Sequence, residues 1–150
     1  MYELGPDSQF RHLRPDCRRV ELAVCETDLD PSPNAPILAV ATFQIKKRDT
    51  LDFTLDMMSW LAANGNAQLT GAVWAVAAGS PSTPTIQGSA HSPQGVMTVV
   101  ITPGNDDAPG SAYWLEVTIQ VGETTPINPG DVAIPARTLV RRINIVVVAG

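Results

Sequence analysis

The sequence is poor in aromatic residues, histidine and cysteine. Aromatic residues make up 5% of the 150 residues and hydrophobic residues 44%, so a core must consist mainly of aliphatic side chains around a few large ones. No secretory hydrophobic region precedes Cys17 and Cys25. A disulfide between them is chemically possible but is rare in a cytosolic product. No apolar run is as long as the roughly 18 residues that a membrane span needs, so we expect no membrane association.

Residues suited to catalysis are equally scarce. A Ser-His-Asp triad needs a histidine, and the two histidines are His12, in an irregular segment, and His91, at a predicted turn. No nucleophile elbow accompanies either one, and no glycine-rich loop leads into the Gly-Lys-Ser/Thr sequence that binds phosphates. Asp52 and Asp56 lie about 13 Å apart on one strand face, too far for a paired-carboxylate site, so we expect them to be solvated. The sequence therefore predicts a protein without enzymatic activity and without a cofactor.

Candidate metal ligands lack the spacing of known sites. His12, Cys17 and Cys25 match no usual zinc pattern and have no fourth ligand. The sequence Asn105-Asp106-Asp107 could bind calcium together with Asp28 or Asp30, but the spacing of an EF-hand is absent. An ordinary acidic turn is the favoured interpretation, and we expect no metal site.

Positive charge is missing from the middle of the sequence. From Asp49 to Asp131 there is no lysine or arginine but there are eight acidic residues, and the net charge of the whole chain is −5. An acidic body of this kind repels nucleic acid. The charge pattern either reflects an ordinary solvated surface or allows the arginine-bearing ends to dock onto an acidic neighbour.

Frequent turn residues and period-2 patterns favour strands over helices. Thirteen prolines and eleven glycines leave few windows for a long helix. In residues 51–57 the apolar side chains alternate strictly with Asp52, Thr54 and Asp56, which predicts a half-buried strand whose polar side faces solvent. Residues 59–63 can form one helical turn, ended by Asn64-Gly65. Further strands are predicted at residues 20–25, 37–45, 68–77, 85–90, 96–102, 113–121 and 138–148.

These strands predict an all-β fold, an immunoglobulin-like sandwich of about seven to eight antiparallel strands with an extended N-terminal arm. Tyr113 follows a Pro-Gly turn and begins the longest alternating run. This position is typical of the tyrosine corner in immunoglobulin-like sandwiches, where the hydroxyl bonds back to the turn. We expect an interior containing Leu51, Phe53, Leu55, Met57, Leu115, Val117 and Ile119, and the predicted structural anchors are Phe53, Trp60, Trp74 and Tyr113.

The chain divides into residues 1–36, comprising an N-terminal arm, a short strand and a linker, and the sandwich at residues 37–150. The arm at residues 1–19 cannot bury enough apolar surface to offset an ordering cost of about 1–2 kcal/mol per residue, so we expect a partner to order it. The long loop at residues 122–137 is a second candidate contact. Guanidinium groups suit carboxylate partners, and the predicted partner-binding residues of the arm are Phe10, Arg11, Leu13, Arg14, Arg18 and Arg19.

A motif at residues 47–61 carries a resemblance to a known family. The motif reads approximately Lys-Asp-Pro, a few residues, Leu-Asp-Tyr/Phe, two residues, Asp-Trp, and shortly afterwards Trp-Leu. It is matched here by Lys47, Leu51, Asp52, Phe53, Asp56, Trp60 and Leu61. The sequence resembles small virion proteins of tailed bacteriophages that are fibre- or tail-associated. It departs from them at Arg48-Asp49, where Asp-Pro would stand, and at Met57, which replaces the first Trp.

The resemblance spans about residues 43–121 and implies an immunoglobulin-like sandwich in a virion, assembled in the bacterial host cytoplasm, without an active site. Its partners would be other virion proteins in a symmetric homo-oligomer, with no nucleic acid and no membrane. A tail or fibre-attachment adaptor is the first hypothesis, and a capsid decoration protein is the close alternative. A carbohydrate-binding module is the alternative from a different class, because Trp60, Trp74 and Trp114 could stack on sugars if they shared an exposed face.

Overall fold

A computed structural model describes residues 18–23, 39–105, 107–124, 126 and 129–149. This part of the chain forms eight strands and one short helix. No helix among the described residues is long and apolar enough to cross a membrane. The elements are β1 (Arg19–Glu21), β2 (Ala39–Lys46), β3 (Leu51–Asp56), α1 (Met58–Ala63), β4 (Leu69–Val76), β5 (Thr85–His91), β6 (Val96–Thr102), β7 (Ala112–Val121) and β8 (Arg137–Val148).

The strands form two four-stranded sheets, in the orders β1-β3-β6-β5 and β2-β8-β7-β4. The predicted all-β sandwich is confirmed. The more specific immunoglobulin-like assignment stays a prediction.

Two strand pairings correct the expectation of antiparallel strands throughout. β1 pairs with β3, and β2 with β8, in parallel. The four other described pairings are antiparallel. The turn after β2 carries the chain from one sheet to the other, so β2 and β3 do not form a hairpin. β2 instead lies beside β8, nearly 100 residues later in the chain, and no tight turn fixes the direction of such a distant pair.

The core lies between the two sheets and contains the predicted interior residues. Phe53, Leu55 and Met57 are fully buried on one side, opposite the alternating apolar residues of β7 and β8. Leu51 is half-buried at the margin of this core. The rings of Phe43 and Phe53 are 5.3 Å apart between centroids and tilted by 40°. Burying each large side chain contributes about 1.5–3 kcal/mol, so this continuous interior is the main source of stability.

The outer side of β3 is covered at Thr54 and Asp56, contrary to the expectation that its polar residues are solvated, whereas the Asp52 side chain is 45% exposed. Thr54 and Asp56 are each only 2% exposed. β1 pairs beside β3, and Arg19 donates a hydrogen bond to Asp56 Oδ2. Thr54 shares a hydrogen bond of 3.0 Å with Thr98 on β6. A strand read in isolation shows which faces alternate, but it does not show that a neighbouring strand brings a cation to its polar face.

The short strand near residue 20 is part of the sandwich. β1 forms an edge of the first sheet, and Leu22, directly after it, is buried in the core. The Leu22 amide donates to the Asp56 carbonyl at 2.8 Å. The sandwich therefore includes residues that the sequence-based division placed within the segment 1–36.

A bulge in β4 changes which residues face the core. The register with β7 shifts between Leu69 and Gly71, so Leu69 is buried together with Trp74, whereas the alternation placed it with Val73. Val73 is 66% exposed, so the outer face of this strand is open to solvent at that position. A bulge inserts one unpaired residue and thereby moves the following side chains to the other face.

Candidate interaction surfaces

The turn between β6 and β7 is fixed by Tyr113. The Tyr113 hydroxyl accepts a hydrogen bond from the Gly104 amide at 3.2 Å and donates one to Asp107 Oδ2. The expected bond from this hydroxyl back to the preceding turn is present. Burial, together with the hydrogen bond to Asp107, raises the pKa of Tyr113 to about 12. The neutral phenol is therefore the form that the folded protein stabilises.

The corner after β3 is built around Trp60. Asp56 Oδ1 accepts a hydrogen bond from the Met58 amide at 2.9 Å, which holds the start of α1. Trp60 and Leu61 are buried. The helix ends at Asn64, whose side-chain amide donates to the Trp60 carbonyl at 2.8 Å, and Gly65 follows with φ +96°. Only residues that tolerate a left-handed backbone end a helix this way at little cost.

The connection between β7 and β8 closes on itself and lies against this corner. The Thr124 amide donates to the Ile134 carbonyl at 2.9 Å, and the Ile134 amide donates back to the Thr124 hydroxyl at 2.8 Å. Arg137 donates to the Asn64 carbonyl at 3.1 Å and places its guanidinium 5.2 Å from the centre of the Trp60 ring. The two ends of the predicted contact loop are thus held by hydrogen bonds and by a cation–π contact.

Three connections meet at one end of the sandwich, which we call the loop end: α1, the turn at residues 92–95, and the described part of residues 122–136. Backbone hydrogen bonds hold the turn at residues 92–95 against its neighbours. The Met57 amide donates to the Gly95 carbonyl at 2.9 Å, and the Leu69 amide donates to the Pro93 carbonyl at 3.0 Å. Val132 in the third connection is 83% exposed and Met58 at the start of α1 is 47% exposed. The loop end therefore presents two exposed apolar side chains near backbone segments that are held by hydrogen bonds.

Arg18 and Arg19, two of the residues predicted to bind a partner, contact aspartates of the same chain. Arg18 donates to the Asp52 carbonyl at 3.0 Å and lies 3.3 Å from Oδ1 of its carboxylate. Arg19 pairs with the buried carboxylate of Asp56. The other four predicted arm residues, Phe10, Arg11, Leu13 and Arg14, lie outside the described residues, as do His12, Cys17, Cys25 and Asp106.

Three consecutive cations, Lys46, Lys47 and Arg48, form what we call the basic corner, at the end of the sandwich opposite α1. The turn is closed by a bond of 3.1 Å from the Asp49 amide to the Lys46 carbonyl, and Arg48 has φ +76°. Two cavities adjoin it. One of about 680 Å³ includes Lys46 in its lining, and the other, of about 420 Å³, includes Lys47 and Arg48.

The three tryptophans do not share an exposed face. Trp60 and Trp74 are buried, together with Phe53 and Tyr113, the two other predicted anchors. Trp114 is half-exposed on the outer face of β7, and the Arg142 guanidinium lies 4.6 Å from the centre of its ring. The condition on which the carbohydrate-binding alternative depended is therefore not met. Among the described residues, no group of three or more His, Cys, Asp or Glu is placed to hold a metal ion.

Comparisons with known proteins give little further information. No protein-family model matches the chain, and no curated protein sequence matches it. Among solved structures, an endo-fucoidan hydrolase from glycoside hydrolase family 107 is similar at 16% identity with a TM-score of 0.38. The match covers 83% of this chain but only 15% of the hydrolase. A similarity this weak carries no functional argument.

Proposed function

We propose that this chain is a structural, protein-binding module of a tailed-bacteriophage particle, acting as a tail or fibre-attachment adaptor through its loop end. The observation that carries the binding role is the exposure of Val132 and Met58 on loops that the sandwich holds in place. The assignment to a virion is supported by the sequence motif at residues 47–61.

The rigidity of the loop end favours binding. Associating proteins must order the loops and side chains at their interface, at about 0.5–1.5 kcal/mol for each immobilised side chain. Here Thr124 and Ile134 already bond to each other, and Arg137 already joins Asn64 to the start of β8. The base of this connection is therefore ordered before a partner arrives.

The exposed side chains supply the contact. Exposed apolar side chains that a partner covers contribute to association through the apolar surface that is removed from water. Among the described residues the exposed large hydrophobics are Met58, Val73 and Val132, and two of these three belong to the loop end. A neighbouring virion protein that buries both would gain about 25 cal/mol for each Å² of apolar surface covered. Copies arranged with closed symmetry would present the same surface repeatedly.

The test is incorporation into particles. A phage that lacks the gene for this chain is complemented with Val132→Asp, and purified virions are analysed for the protein. We expect the charge at the loop end to abolish or strongly reduce incorporation. Val73→Asp is the matched control, because it places the same charge on another exposed valine, on the outer face of β4.

The outcomes separate the hypotheses. Loss with Val132→Asp and retention with Val73→Asp supports the loop end as the contact. Normal incorporation of the Val132 variant contradicts it. Copy number in the particle distinguishes the two virion roles: about six or twelve copies indicate the tail, whereas hundreds indicate a capsid decoration protein. Absence of the wild-type protein from purified particles contradicts the virion assignment itself.

A further inference from the structure

A groove follows the free edge of β2. Within the described residues the sheet neighbour of β2 is β8, so the other side of the strand is an edge. The cavity of about 680 Å³ is lined by Phe43, which points to the core, and by Gln44 and Lys46, which point outward. Because side chains from both faces of β2 line it, the cavity includes the edge between those faces.

The groove has an apolar floor. Phe43 and Leu51 line it from the margins of the two sheets, and Val146 and Val148 line it from the neighbouring strand β8. At its rim Arg18 is held in place by Asp52. A volume of this size lies in the range of about 300–1,000 Å³ that is usual for binding pockets. Aliphatic side chains of a ligand would find partners along the strand.

The basic corner makes one end of the groove positive. Within the described part of the chain, Lys46, Lys47 and Arg48 form no ion pair. Asp49 also lines the groove, so three cations stand against one carboxylate at this end, and the chain as a whole carries a charge of −5. A local excess of positive charge beside an otherwise acidic surface attracts anionic ligands and increases their association rate.

The backbone of Arg48 is a second, independent observation. Its φ of +76° lies in the left-handed region, where residues other than glycine are uncommon and strained. Glycine would form this turn without strain. Strained positions are concentrated at functional sites, and Arg48 lines the smaller cavity together with Gly104 and Asn105.

We propose that this groove binds an extended acidic peptide segment of a partner protein. The segment would add to the free edge of β2 as a further strand, which supplies backbone hydrogen bonds. Its aliphatic side chains would lie on Phe43 and Leu51, and its carboxylates would pair with Lys46, Lys47 and Arg48. This contact lies away from the loop end and does not depend on it.

The experiment uses the full chain, labelled with ¹⁵N, and two capped eight-residue peptides. One alternates glutamate with valine and the other lysine with valine. We expect the glutamate peptide to shift the amide resonances of β2 and the basic corner, more weakly as salt is added. The lysine peptide should leave them unchanged.

Two variants that change the net charge by the same amount test whether binding depends on the position of the charge or on the total charge. Arg48→Gly removes a cation and also relieves the left-handed strain, so it keeps the fold. Ser89→Glu adds an anion to the exposed strand β5. We expect Arg48→Gly to weaken binding of the glutamate peptide about three- to tenfold and Ser89→Glu to change it less than twofold.

Three results would overturn the proposal. The first is that both peptides bind equally, or that neither peptide binds at millimolar concentration. The second is a shift pattern that maps to the loop end instead of β2. The third is a loss of affinity in Ser89→Glu as large as that in Arg48→Gly.

Discussion

Replacing Tyr113 by phenylalanine removes the one hydroxyl that fixes the turn between β6 and β7. The ring still fills its place in the core, but the Gly104 amide and the Asp107 carboxylate each lose a partner. Leaving such groups without a hydrogen bond costs about 1–3 kcal/mol. We expect the free energy of unfolding at neutral pH to fall by that amount.

The pH dependence of this loss is a sharper test than its size. The pKa of Tyr113 rises from 10.0 to about 12 on folding, chiefly through burial and then through the hydrogen bond to Asp107. The folded state therefore holds the proton more tightly than the unfolded state. This stabilisation is complete below pH 10 and is lost as the pH rises through 12. At pH 11 the lost contribution is about 1.4 kcal/mol.

The assay is urea unfolding of the wild type and Tyr113→Phe at pH 8, 9, 10 and 11. Contributions from groups that are present in both proteins cancel in the difference. We expect the stability difference to shrink by about 1.4 kcal/mol between pH 9 and pH 11. In Asp107→Asn the alkaline loss should be smaller but still present, because burial is the larger cause of the raised pKa.

A constant difference between the wild type and Tyr113→Phe across this pH range would refute the reasoning. It would mean that the phenol ionises equally well in both states, and hence that water reaches the hydroxyl. The described bonds to Gly104 and Asp107 would then not persist in solution.

Three further predictions concern the sandwich; chemical unfolding measures the first and the third, and hydrogen exchange measures the second. Phe53→Ala should lower the free energy of unfolding by about 3–5 kcal/mol because it leaves a cavity between the sheets. Thr54→Ala loses one buried hydrogen bond and should lower it by about 1–2 kcal/mol. Equal losses would contradict the assigned faces of β3. Asp56→Asn should weaken the docking of β1, and unchanged hydrogen exchange at the Leu22 amide would count against this. Gly95→Ala should cost more than Gly110→Ala: both glycines have positive φ, but an added Cβ lies 2.8 Å from Leu61 only at Gly95.

The sequence alone determined the positions of the strands. The alternation in residues 51–57, 96–102 and 113–121 corresponds to β3, β6 and β7 within about one residue. The helical turn, its end at Asn64-Gly65 and the bonding of the Tyr113 hydroxyl were also predictable. All of these depend on side-chain period or on turn chemistry, which act over a few neighbouring residues.

Only the tertiary structure decided which strands are neighbours and what covers each face. The parallel pairing of β2 with β8, the cover over Thr54 and the pairing of Arg19 with Asp56 all join residues more than 30 positions apart. The bulge after Leu69 likewise appears only in the register with β7. A period of two in the sequence shows that the two faces of a strand differ in polarity, but the free energy of burying either face depends on the partner strand. The groove along β2 depends on the tertiary structure for the same reason, since among the described residues this strand has a sheet neighbour on one side alone.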